Sequence, residues 1–162
     1  MSYLLSVLTI MCLGQIAYQD FRERQAYWFL FPLAMILFGS LHYSNSVESS
    51  LFLNYVMFNM LLVTLIVVAL YAYTRFVAKK RFLNHSLGLG DILFFFAFAL
   101  GFPTITFIIL FANAIVFSLL TYLFLKKVYL GETVPLAGLM GLFLIAVIGY
   151  GIIFKSPSLY AY

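Results

Sequence analysis

The sequence predicts an all-α fold, a polytopic transmembrane bundle of about six helices, and three observations predict it. Hydrophobic residues make up 65% of the 162-residue chain and charged residues only 9%. Soluble domains carry about 25% charged residues, so this composition cannot cover a water-exposed surface. The apolar residues also fall in long unbroken runs, unlike the alternation of a membrane β-barrel strand. A mean hydropathy of +1.11 excludes intrinsic disorder, which needs low hydrophobicity. At ~150 residues per domain, residues 1–162 read as a single domain.

A spanning helix needs about 20 apolar residues, and six stretches qualify or nearly so: 3–19, 27–43, 52–74, 91–102, 104–125 and 134–154. The first lacks the basic leader and small-residue cleavage site of a signal peptide, so it reads as a retained helix. The fourth and fifth are separated only by Gly101-Phe102-Pro103. Proline disfavours helix in the residue before it. One continuous helix of about 35 residues would far exceed a bilayer core of about 30 Å. Two helices are therefore expected, the fourth short and tightly turned into the fifth, or partly re-entrant. The polar stretch Ser44 to Ser50 reads as a loop. The two halves of the chain share no repeated motif.

Charge sets the expected orientation. Arg22 and Arg24 lie in the first loop, Arg75, Lys79, Lys80 and Arg81 in or beside the third, and Lys126 and Lys127 in the fifth. Only Lys155 falls elsewhere, so eight of nine basic residues occupy odd-numbered loops. The positive-inside rule puts those loops in the cytoplasm and both termini outside. The net charge of +4 is thereby a topology signal, and nucleic-acid binding is not expected. The single Cys12 makes neither an intramolecular disulfide nor a CxxC metal site.

Chemistry is concentrated in two residues. Asp20 and Asp91 are the only aspartates. One ends the first span and the other opens the fourth, so the topology puts both at one membrane face. Ionisable groups near lipid are costly and tend to be functional. Two close carboxylates cannot both ionise and share a proton, and such a pair can hydrolyse a peptide bond, one carboxylate taking a proton from water while the other protonates the carbonyl oxygen. The structural alternative is that each is a helix-end residue in water, with Asp20 the ion partner of Arg22.

The residues before Asp91 read Ser86-Leu87-Gly88-Leu89-Gly90-Asp91. Gly88 and Gly90 weaken helical order and remove side chains that would block a substrate backbone. This GxGD pattern, paired with Asp20-Phe21-Arg22-Glu23-Arg24 at the end of an earlier helix, resembles the GxGD intramembrane aspartyl proteases. In size and layout the chain is similar to the type IV prepilin peptidases, including the small tight-adherence-pilus and preflagellin forms. Val134-Pro135-Leu136-Ala137 resembles the proline-led start of that family's last helix. The resemblance implies that Asp20 and Asp91 are the catalytic pair and that Gly88 and Gly90 are the motif glycines. The implied substrate is a prepilin-like protein with a short basic leader and a hydrophobic helix, cut on the cytoplasmic side, with no cofactor or metal.

Two positions depart from the family pattern. Ala26-Tyr27-Trp28 stands where an Ile-Pro-Asn-like turn is common, and Leu93 where a lysine often follows GxGD. With one cysteine, the zinc-binding cysteine pairs of the bifunctional members are missing, and N-methylation is not expected. Gly90, beside Asp91, is expected to be more sensitive to an added methyl than Gly88, either through substrate space or through a φ open only to glycine. His85 reads as a loop histidine and His42 lies at the opposite face, so no zinc triad forms on one side without both aspartates. Asn54, Asn59 and Asn113 are read as interhelical hydrogen-bonding residues, and Gly138, Gly141, Gly149 and Gly151 as close-packing positions. Most phenylalanines and tyrosines read as lipid-facing or belt residues. Three further readings stay open: a proton-coupled transporter, a non-catalytic pilus or secretion assembly subunit, and a signal-peptide-peptidase-like enzyme.

Overall fold

In the computed structural model, the described residues are 2–23, 26–76, 88–125, 134–154 and 159–160. They form six helices: α1 (Ser2–Glu23), α2 (Leu30–Asn45), α3 (Ser49–Phe76), α4 (Leu89–Leu100), α5 (Thr104–Leu125) and α6 (Leu136–Phe154). The all-helical bundle predicted from composition is what the chain forms. Four helices, α1, α3, α5 and α6, are long and apolar enough to cross a membrane. Arg24, Lys79 to Arg81, His85 to Leu87, Lys126, Lys127 and Lys155 lie outside the described residues, so most of the basic residues that orient the chain do too.

The break at Gly101-Phe102-Pro103 separates α4 from α5, as the proline demands. Its tightness comes from packing. A Cβ on Gly101 would lie 2.8 Å from Phe38 Cδ1, so only glycine lets α2 approach the turn this closely. At 12 residues α4 is about 18 Å long, too short to span a bilayer of about 30 Å. It is the innermost helix and packs against α2, α3, α5 and α6, while α1 packs against α2 and α6. Phe94, Phe95, Ala97, Phe98 and Ala99 are buried on it. The Phe98 ring meets those of Phe94, Phe107 and Phe111 edge-on, at centroid separations of 5.6–6.4 Å. Such contacts add packing energy where lipid is as apolar as the core.

A helix ending away from water still owes partners to its last carbonyls. Two neighbours supply them. Asn59 of α3 donates from Nδ2 to Ala99 O (2.9 Å) and Phe102 O (2.8 Å). His42 of α2 holds Leu100 O at 3.0 Å through Nδ1. Both side chains are fully buried. Asn59 is ten residues into α3, about 15 Å along its axis, so the α4–α5 turn sits well inside the bundle. The interhelical role expected of Asn59 is therefore real. Asn113 differs, since its amide bonds Ile109 O on its own helix. Asn54 is exposed. Of the glycines read as close-packing, Gly138 and Gly141 face α1, whereas Gly149 has open space where a Cβ would be.

Candidate functional site

Asp20 lies in the last turn of α1 and Asp91 in the first turn of α4, and both side chains end on the first turn of α6. The start of α6 explains why. Pro135 O accepts the first helical bond, from Leu139 N at 3.0 Å, which makes Pro135 the capping residue. It has no side-chain oxygen to receive the free N–H groups that follow. Ala137 N donates to Asp91 Oδ1 (3.0 Å) and Gly138 N donates to Asp20 Oδ2 (2.7 Å). Carboxylates from two other helices thus cap α6, at the end where a helix favours negative charge. Because the two donors are consecutive, the carboxyl groups are held side by side, and Asp91 lies in the electrostatic field of Asp20.

The GxGD segment fixes Asp91 from the other side. Gly88 N donates to Asp91 Oδ2 at 3.1 Å. Gly88 is the N-cap of α4 and Asp91 its third residue, so this is one half of a capping box. The other half needs an N-cap side chain, which glycine lacks. Both oxygens of Asp91 accept a backbone N–H, one from its own helix and one from α6.

The glycines act differently from the expectation. Gly88 has φ −70° and ψ 147°, and Gly90 is helical, so neither relies on a conformation reserved for glycine. A Cβ on Gly88 would meet Asp91 Oδ2 at 3.0 Å, whereas one on Gly90 would meet Phe31 Cζ at 3.0 Å. The space beside Gly90 is filled by the buried Phe31 of α2. On these distances Gly88 is the glycine that touches the carboxylate. Leu93 packs against the apolar core.

Arg22 does not take the place foreseen for it. It donates from a guanidinium nitrogen to Tyr18 Oη at 2.6 Å and lies 5.8 Å from that ring's centroid. Residues four apart share a helix face and residues two apart do not. The turn after Asp20 is held instead by the buried Gln19, whose Oε1 accepts from Tyr27 N at 2.9 Å. His42 is at the other end of α4, apart from the carboxylates. His85 lies outside the described residues.

Sequence reasoning missed the α6 amides. It read Gly138 as packing alone, yet Gly138 both donates to Asp20 and leaves room for it. The available signal was a helix start with proline and no serine, threonine, asparagine or aspartate at the cap, in a chain with only two aspartates. Chemically, two adjacent carboxyl groups fixed by backbone donors can pass a proton to and from a water between them. No family model, curated protein or solved structure matches the chain.

Proposed function

We propose that the chain is a membrane-embedded aspartic endopeptidase of the prepilin peptidase kind. It removes the short basic leader of type IV prepilin-like precursors, using Asp20 and Asp91. One observation carries the reading: the two aspartates, 71 positions apart in a chain with no others, end on consecutive N–H groups of one helix. The GxGD motif and the paired helix-end aspartate supply the substrate class. The reaction is water addition to a peptide bond. One carboxylate removes a proton from water, whose oxygen attacks the scissile carbonyl carbon. The other, protonated, gives its proton to the carbonyl oxygen. Collapse of the intermediate breaks the C–N bond, and the amine leaves with a proton.

The site belongs at the cytoplasmic face on this reading, because eight of nine basic residues lie in odd loops. A transporter fits less well. Among the described residues, every Asp, Glu, Lys or Arg lies in a loop or the first or last turn of a helix, leaving no acidic relay across the bundle. The assembly-subunit reading draws on the same bonds as the peptidase, since capping α6 is by itself a structural task. Purified protein incubated with a prepilin-like precursor in detergent separates the two. Wild-type chain releases the leader, and Asp20→Asn and Asp91→Asn each abolish release. Leader release by Asp91→Asn at the wild-type rate sinks the peptidase reading.

A further inference from the structure

We infer that Gly138 is a positioning residue for Asp20, a third part of the site that acts through its backbone. The inference rests on the peptidase reading for its chemistry and on geometry for its placement. The Gly138 N–H donates to Asp20 Oδ2 at 2.7 Å, shorter than the bonds from Gly88 N and Ala137 N to Asp91. A Cβ at position 138 would lie 3.0 Å from that same oxygen, 3.1 Å from Asp20 Cβ and 3.4 Å from Ala17 O. Gly138 thus both donates to Asp20 and must lack a side chain for Asp20 to stay. Backbone atoms of α1 and α6 on either side leave the carboxylate as the part that gives way. Displacing it would lengthen the bond to Gly138 N and move Asp20 relative to Asp91, whose anchors at Gly88 N and Ala137 N are untouched. Misplacement of a reacting group by about 1 Å can cost on the order of 10²-fold in rate.

Gly141 provides the internal comparison. It lies one turn further along the same α1–α6 seam, and a Cβ there would make an ordinary contact, 3.6 Å from Leu13 O. Gly138→Ala is expected to lower leader cleavage by about tenfold or more and to shift the pH profile of the residual activity. Gly141→Ala is expected to stay within about twofold of wild type with an unchanged profile. Equal losses from the two substitutions would mean seam packing alone and would overturn the inference.

A second measurement does not need activity. Thermal midpoints form a cycle of wild type, Gly138→Ala, Asp20→Gly and the double variant. If the added methyl meets Asp20, at least half of the drop in midpoint caused by Gly138→Ala disappears in the Asp20→Gly background. Should Gly138→Ala alone not accumulate, the double variant does. A drop that is the same in both backgrounds, or no recovery of accumulation, overturns the contact. Wild-type chain that cuts no prepilin-like precursor overturns the peptidase reading, and the thermal cycle still decides Gly138.

Discussion

At the scale of single residues, each aspartate is tied to the first turn of α6 by a backbone N–H. Asp91 is clamped through both oxygens, by Gly88 N and Ala137 N, and Asp20 meets α6 through Gly138 N. A pair that shares one proton titrates in two steps that belong to the pair. Cleavage is accordingly expected to follow a bell-shaped pH profile, read as kcat/KM against pH. Asparagine at either position should remove about 10²-fold or more of the rate, and the double variant should be no worse than either single one, as the proposed dyad requires. The motif glycines give a second contrast. Gly90→Ala crowds Phe31 at 3.0 Å, an overpacking cost of about 1–3 kcal/mol, partly offset by about 1 kcal/mol of helix propensity. Phe31→Leu in the same chain should restore the thermal midpoint. Gly88→Ala meets Asp91 itself, and Phe31→Leu should do nothing for it.

At the scale of elements, α4 is a short helix tied at both ends, to α6 through Asp91 and to α2 and α3 through His42 and Asn59. Removing the Asn59 amide leaves two buried carbonyls without their donor. Asn59→Leu is expected to cost about 1–2 kcal/mol in an unfolding measurement. Asn113→Leu, on an exposed face and bonded only within its own helix, should stay within about 0.5 kcal/mol. The six helices were legible in the sequence because apolar runs end at charges, polar loops or proline. The run 104–125 coincides with α5, and Gly101-Phe102-Pro103 marks where α4 stops. The partners of α4 were not legible. Whether His42 or Asn59 caps it depends on which helices surround it, and nothing in the periodicity of α2 or α3 says so. The N–H groups of Ala137 and Gly138 were hidden for a simpler reason: every residue but proline has one, so the letters carry no mark of it.

At the scale of the whole molecule, the two aspartates and the buried His42 and Asn59 fall at opposite ends of α4. The Asp20–Asp91 site lies at the end where α1 stops and α4 and α6 begin. The His42–Asn59 cluster lies at the end where α4 stops. The charge asymmetry predicts that the aspartate end faces the cytoplasm. A cysteine at position 80 in a Cys12→Ser background should resist a membrane-impermeant thiol reagent in intact cells and react after lysis. Labelling in intact cells would reverse the orientation. Because the proposed chemistry uses carboxyl groups alone, cleavage should stay within about twofold in excess chelator.

The order in which the chain is made gives the α6 cap a further meaning. Asp20 waits 118 residues for Gly138, and Asp91 waits 46 for Ala137. At a synthesis rate of roughly 5–20 residues per second, Asp20 therefore spends about 6–24 s in the growing chain before its partner has been joined to it. During that time the pair lacks the two N–H donors that α6 supplies. The ribosome thus acts as a timer on the site: a chain interrupted before residue 137 carries both aspartates and neither of the α6 amides that bring them together.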